Sequence, residues 1–253
     1  IEEPENASAK HQGRATLLRM ISSLDAAVGE VVDSLMLQPW GENTVIIFAS
    51  DNGGSSPKPW LIELLIPPMR DGYSSNGQLK QGKGSVFEGG IRVPAAIWWP
   101  GNMESRKPLE QVAHIADILP TLTDIAGAGI PAVDGRSIKD ALIKNTQLQQ
   151  RPIVVANFDS EAIIDWPWKV VREGSFPITP EFLKSDTWYL YNIESDPSEL
   201  DDLKTQFPEK FEQMRSALLT TPRRKSVEFS TDQSWDTFGG EETRPPWAEA
   251  AIR

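Results

Sequence analysis

The sequence contains no cysteine among its 253 residues. Disulfide bonds and thiolate metal sites are therefore excluded, although many exported proteins also lack cysteine, so the compartment stays open. No apolar stretch is long enough to cross a bilayer, and the first residues do not have the pattern of a signal peptide. We therefore expect a chain without a membrane span.

Positive charge is scarce as well. The chain carries 25 lysines and arginines against 36 aspartates and glutamates, a net charge of −11. Recognition of a phosphate backbone requires a basic surface, so this balance argues against a nucleic-acid partner. The 39% apolar and 24% charged residues are typical of a folded globular protein rather than a disordered one.

The first part of the chain alternates helix and strand signals. Apolar residues recur at helical spacing over 15–35, and short β-branched runs at 44–50 and 93–99 predict buried strands. This order is typical of a βαβ arrangement. It predicts an α/β fold with part of a mixed, mostly parallel sheet flanked by helices.

The pattern changes after residue 150. Aromatic and β-branched runs at 152–158, 168–172 and 188–191 are separated by Gly, Pro and Asp turns, and a helix is predicted over 208–219. We expect a small C-terminal antiparallel sheet with a helix. The predicted division is 1–150 for the α/β part, 151–220 for the small subdomain and 221–253 for an irregular tail.

The first candidate site follows the strand at 44–50 directly. Residues 50–54 read Ser-Asp-Asn-Gly-Gly, so Asp51 and Asn52 lie in a turn at the carboxyl end of that strand. Open α/β sheets bind their ligands at such ends. Both side chains offer hard oxygen ligands, which suit Ca²⁺ or Mg²⁺, although the tetrapeptide alone is equally typical of a solvated turn.

A longer motif follows at residues 77–94, which read Gly-Gln-Leu-Lys-Gln-Gly-Lys-Gly-Ser-Val-Phe-Glu-Gly-Gly-Ile-Arg-Val-Pro. With the Asp-Asn-Gly turn before it, this segment resembles the formylglycine-dependent arylsulfatase family of the alkaline phosphatase superfamily. Members carry a segment similar to L-R-G-x-K-x-x-x-x-E-G-G-x-R-V-P after a strand that ends in D-N-G. Residues 114–121 and 189–199 agree with the same resemblance.

The resemblance implies roles for individual residues. Asp51 and Asn52 match the family's metal ligands, for Ca²⁺ or alternatively Mg²⁺, and Lys83 matches the catalytic lysine that contacts the sulfate. Glu88 and Arg92 resemble residues that brace the site from behind. His114 stands just before a predicted helix, where capping or packing is the favoured interpretation and a substrate contact is the alternative.

Other parts of the family pattern are missing. The sequence has no C/S-x-P-x-R motif, whose Cys or Ser becomes the formylglycine nucleophile. The family's paired N-terminal aspartate ligands are absent too. We therefore expect the C-terminal portion only, inactive alone, which works with the N-terminal portion of the same enzyme or with a complementary chain that carries the formylglycine.

The expected activity is hydrolysis of a sulfate ester, on a sulfated small molecule or a sulfated glycan, to an alcohol and inorganic sulfate. Two alternatives stay open: a related phosphonate or phosphate ester hydrolase, and an inactive structural or binding fragment. The resemblance favours a periplasmic or secreted location.

Overall fold

The computed structural model describes residues 9–55, 74–104, 108–109, 111–130, 132–157, 160–174 and 186–221. Ile1–Leu218 form one compact unit and Leu219–Arg253 a second. The predicted boundary between residues 150 and 151 stays a prediction. The predicted tail lies outside the described residues except for its first residue.

The first unit opens with helix α1, Ala9–Met36, which begins earlier than the apolar periodicity alone indicates. It ends ahead of Pro39, and a single 3₁₀ turn at Gly41–Asn43 leads into strand β1, Ile46–Ala49. The apolar face expected to pack on a sheet stays open to solvent: Ile21, Leu24 and Val31 are each more than half exposed.

Strand β1 pairs with β2, Ala95–Trp98, in antiparallel register, with Ile46 opposite Trp98 and Ala49 opposite Ala95. The α/β class is confirmed, but a mostly parallel sheet is not: the described residues hold no parallel pair. The chain returns to β2 through residues 77–94, here called the glycine-rich segment, which contains the short helix α2, Glu88–Ile91, and β2 therefore runs opposite to β1.

Two helices cover one face of the β1–β2 pair. A 3₁₀ turn at Ile115–Asp117 runs into α3, Ile118–Ile125, and α4 follows at Lys139–Lys144. Ile47 and Ile97 line a small apolar cleft together with residues of these helices. Because side chains alternate along a strand, Phe48 and Trp98 point to the opposite face, where both are exposed.

The four-stranded C-terminal sheet is antiparallel in the order β3–β4–β5–β6. Its strands and the closing helix α5 were predicted except for β4, which is a short apolar run between two acids. The bounds are Ile153–Ala156, Glu161–Asp165, Trp168–Glu173 and Thr187–Asn192 for the strands and Pro208–Thr220 for α5.

Alternation along these strands builds two separate apolar cores. Ile163, Val170 and Leu190 face α5, where they pack on Met214 and Leu218. The residues of opposite parity, among them Ala162, Ile164, Val171 and Tyr191, pack on Val86 and Phe87. The sheet therefore lies between the C-terminal helix and the glycine-rich segment, and this second contact ties the segment to the sheet.

No helix in the described part of the chain combines the length and the apolar character that a bilayer crossing requires.

Candidate active site

The turn after β1 holds its own side chains in place. The Asn52 backbone N–H donates to Asp51 Oδ1 over 2.9 Å, and Ser50 Oγ donates to the Asn52 carbonyl over 2.9 Å. Asn52 Nδ2 donates to the Gly53 carbonyl over 3.0 Å. Because the turn engages the amide nitrogen, the amide oxygen of Asn52 and the exposed carboxylate of Asp51 are the ligand atoms offered.

The glycine-rich segment lies directly against this turn. Gly53 N–H donates to the Gly90 carbonyl, and Lys83 N–H donates to the Gly54 carbonyl, each over 3.0 Å. A Cβ on Gly53 would come within 1.7 Å of the Gly89 carbonyl oxygen, so only glycine permits this approach. The two motifs form one unit, which brings Asp51, Asn52 and Lys83 to the same edge of the β1–β2 pair.

Asn76 fastens the unit from the other side. Its Oδ1 accepts from Gly54 N–H over 2.8 Å, while its Nδ2 donates to the carbonyls of Gly54 and Gln81 over 3.0 and 2.9 Å. All three bonds are to backbone groups, as expected of a side chain that fixes a loop. The sequence analysis did not single out Asn76, because Asn before Gly is a common turn pair.

Glu88 sits at the start of α2 and is 4% exposed. Arg92, predicted to brace the site with it, is half exposed, and its Nη1 lies 3.7 Å from Glu88 Oε2. Lys169 on β5 is the closer partner: its Nζ lies 2.9 Å from Glu88 Oε1, and the lysine is fully buried. Lys169 was not predicted. It stands two residues before Val171 on β5, so both side chains face the glycine-rich segment.

A second buried carboxylate completes this cluster. Lys169 Nζ lies 2.8 Å from Glu199 Oε1, and Glu199 Oε2 accepts from the Glu88 backbone N–H over 2.7 Å. Burial raises the pKa of Glu199, and the neighbouring Lys169 ammonium acts against that rise. Glu199 belongs to the 189–199 stretch that supported the resemblance, but its role there was not foreseen.

Lys80 joins the same cluster from the glycine-rich segment. Its Nζ donates to Tyr191 Oη over 2.9 Å and to the Glu199 carbonyl over 3.1 Å. The ammonium also lies 4.4 Å from the centre of the Phe87 ring, a cation–π contact. Burial lowers the pKa of Lys80 and raises that of the Tyr191 hydroxyl. Lys80 therefore anchors the segment to the C-terminal sheet.

His114 is built into the start of the turn that precedes α3. Its Nδ1 accepts from Ala116 N–H over 3.2 Å, and the His114 backbone N–H donates to Asp117 Oδ2 over 3.0 Å. Burial lowers the pKa of the imidazole, which favours the neutral form that accepts this bond. These contacts agree with capping, the favoured interpretation, and a substrate contact stays a prediction.

Asp51 and Asn52 fit a hard divalent cation as part of its ligand set. Within the residues that the structure describes, no three His, Cys, Asp or Glu side chains converge as a complete site would require. The adjacent oxygens of Asp51 and Asn52 supply one side of such a set.

Two family models match this chain. A family model described as Sulfatase matches residues 2–128, and a second, described as N-sulphoglucosamine sulphohydrolase, C-terminal, matches residues 81–225. The chain belongs to the sulfatase family. The first match contains the Asp51–Asn52 turn, and both matches contain Lys83.

Individual sulfatases are similar to parts of this chain. N-acetylgalactosamine-6-sulfatase of Canis lupus familiaris is 34% identical over 136 residues, which are 53% of this chain and 24% of that protein. N-acetylgalactosamine-6-O-sulfatase of Bacteroides thetaiotaomicron is 25% identical over 224 residues, 85% of this chain and 43% of that protein.

A solved structure matches over a similar extent. Ps i-CgsB in complex with k-i-k-neocarrahexaose superimposes with a TM-score of 0.67 at 28% identity, covering 85% of this chain and 44% of that one. The 253-residue chain therefore spans less than half the length of each of these three relatives.

Proposed function

We propose that this chain supplies the C-terminal portion of a sulfatase that hydrolyses a sulfate ester to an alcohol and inorganic sulfate. Membership of the family supports the reaction class. The share of each relative that the chain covers, together with the match to a C-terminal family model, supports the division into portions.

One observation carries the proposal: the turn and the glycine-rich segment are joined backbone to backbone, at Gly53 to Gly90 and at Lys83 to Gly54. The junction supports a site in which the oxygen ligands of Asp51 and Asn52 and the Lys83 ammonium would act together on a sulfate ester. A sulfate ester is an anion and the chain carries a net charge of −11, so local positive charge must offset that field.

Asp51 and Asn52 would hold Ca²⁺, or alternatively Mg²⁺, through their side-chain oxygens. A bound divalent cation supplies positive charge that stabilises negative charge on the sulfate oxygens. The Lys83 ammonium, a compact charge on a flexible stem, would stabilise the charge that develops on the leaving oxygen. The nucleophile, a formylglycine in the family, would lie on polypeptide outside the printed sequence.

Exposed apolar surface supports the proposal that a second polypeptide portion binds this chain. The α1 residues Ile21, Leu24 and Val31 and the uncovered face of the β1–β2 pair, with Phe48 and Trp98, present large side chains to solvent. Large apolar side chains grouped on a protein surface are typical of an interface. We propose that the N-terminal portion of the same enzyme, or a complementary chain, covers it.

The names of the relatives support a sulfated glycan as the substrate class. Two of them are sulfatases of N-acetylgalactosamine, and one was solved with an oligosaccharide. A sulfated small molecule is the alternative. Glycan substrates agree with a periplasmic or secreted location, which we also propose.

The test uses the native protein, isolated from periplasmic and secreted fractions with any polypeptide that stays bound to it. We expect intact mass analysis to show polypeptide with a C/S-x-P-x-R motif whose Cys or Ser is an aldehyde. We also expect release of inorganic sulfate from 4-nitrophenyl sulfate. Absence of both would contradict the proposal, and preferential cleavage of a phosphonate ester would support the related hydrolase instead.

A further inference from the structure

A cluster of four buried or half-buried charges connects the glycine-rich segment to the C-terminal subdomain. Two come from the segment, Lys80 and Glu88, and two from the subdomain, Lys169 and Glu199. Lys169 and Glu199 have no measurable exposure, and Glu88 is 4% exposed. The two lysines balance the two carboxylates, as expected for charges that are removed from water.

The cluster fixes the point where α2 begins. Lys169 holds the Glu88 side chain over 2.9 Å, and Glu199 holds the Glu88 backbone N–H over 2.7 Å. The next residue is fixed as well, because Gly89 N–H donates to the Lys80 carbonyl over 2.9 Å. Three residues after Lys80 comes Lys83, which lies inside the loop that this bond closes.

The far end of α2 reaches the candidate site. Gly90, two residues after Glu88, accepts from Gly53 in the turn that carries Asp51 and Asn52. A displacement of Glu88 would therefore shift the loop that contains Lys83, and it would also disturb the hydrogen bond between α2 and the turn. Close packing of Gly53 on Gly89 leaves no space to absorb such a movement.

We propose that Lys169 is a positioning residue of the sulfatase reaction, which acts through Glu88 to hold the Lys83 loop at its place against the Asp51–Asn52 turn. This inference rests on the proposed function. It assigns to the C-terminal subdomain, through a β5 residue that lies outside the reacting site, a part in setting the turnover rate.

A double-mutant cycle tests the inference on the complete native enzyme, with kcat and KM measured for 4-nitrophenyl sulfate and folded fractions set by near-ultraviolet circular dichroism. The variants are Lys169→Met, Lys83→Ala and the two combined. Lys144→Met is the matched control, because Lys144 is two-thirds exposed and pairs with Asp140 one turn away on α4.

We expect Lys169→Met to lower kcat about 10- to 100-fold, the range for groups that hold a ligating or catalytic residue in place, with a smaller change in KM. In the Lys83→Ala background the same substitution should lower kcat less than about twofold, because the residue it positions is already gone. Lys144→Met should keep the wild-type kcat.

Two results would overturn the positioning role: a wild-type kcat in Lys169→Met, or an equal fall of kcat in both backgrounds, which indicates a general structural effect. Wild-type kcat in Lys83→Ala would contradict the proposed function itself, and the positioning role with it. Should Lys169→Met fail to fold, Glu88→Gln enters the same cycle. Glu88→Gln preserves the shape of the side chain and removes the charge that faces Lys169. A wild-type kcat, or an equal fall of kcat in both backgrounds, would then overturn the positioning role.

Discussion

Gly53 donates its backbone N–H to the Gly90 carbonyl over 3.0 Å, and the Gly89 carbonyl lies where a Gly53 side chain would stand. The strand-end turn and the glycine-rich segment therefore meet without an intervening side chain. Neither motif alone would define a site, and their junction is what groups the candidate ligands with the candidate catalytic lysine.

Gly53→Ala should separate the two motifs, because its Cβ would come within 1.7 Å of a backbone oxygen. We expect a loss of about 1–3 kcal/mol in the free energy of unfolding, the usual range for overpacking, together with loss of turnover. Urea unfolding measures the first. Gly29→Ala on α1 is the control: a Cβ there meets nothing within 4 Å, so stability should be unchanged or higher by up to about 1 kcal/mol. Equal urea midpoints for wild type and Gly53→Ala would contradict the packing argument.

Lys83→Ala should lower kcat of the complete enzyme about 10²-fold or more, the range for removal of one charge-stabilising donor. Steady-state kinetics with a sulfate ester check this. Lys144→Ala, at an exposed position on α4, is the matched control and should leave kcat unchanged. A fall in both variants would show that the assay reports loss of lysine charge in general.

Phe87→Ala should lower the free energy of unfolding by about 3–5 kcal/mol, since Phe87 is 1% exposed in the core between the segment and the sheet. It also removes the ring beneath the Lys80 ammonium. Phe207→Ala removes a side chain that is 45% exposed, so it should lower the free energy of unfolding by less. Chemical denaturation compares the two, and similar losses would indicate that the segment does not pack as described.

His114 predicts a pH dependence of stability. Burial lowers its folded-state pKa below the ordinary 6.5. Its contribution is therefore fully present above about pH 6.5 and is lost as pH falls through the lower folded-state pKa. The protonated Nδ1 can no longer accept from Ala116. The nearby Asp117 carboxylate raises the pKa of the imidazole, and the Arg151 guanidinium lowers it.

His114→Asn keeps a side chain that caps helices and removes the titration. Between about pH 8 and about pH 5, the urea midpoint should therefore fall more for wild type than for His114→Asn. The other acidic groups are common to both proteins and cancel in the comparison. Parallel falls would mean that His114 does not titrate in this window.

The sequence predicted the parts of this site that rest on local chemistry. The turn at residues 50–54, the helix after His114 and the small C-terminal antiparallel sheet with its helix, apart from β4, follow from turn residues, capping residues and alternation, which act within a few residues. The resemblance added the roles of Lys83 and Glu88, which spacing alone does not provide.

What the sequence did not predict depends on contacts between distant residues. Lys169 looks like an outward residue in an apolar strand, until Glu88 and Glu199 are brought to it from 81 and 30 positions away. The antiparallel pairing of β1 with β2 is of the same kind, because it depends on how the connecting segment folds. Helix and strand order alone favoured the parallel alternative.

Asp51 is proposed to hold a divalent cation at the sulfate site, and calcium content together with turnover of the complete enzyme carrying Asp51→Ala tests this role. The control is Asp201→Ala, an exposed aspartate outside the site. We expect Asp51→Ala to lose bound calcium and sulfate-ester turnover, whereas Asp201→Ala should keep both. Wild-type calcium content and wild-type turnover in Asp51→Ala would contradict it.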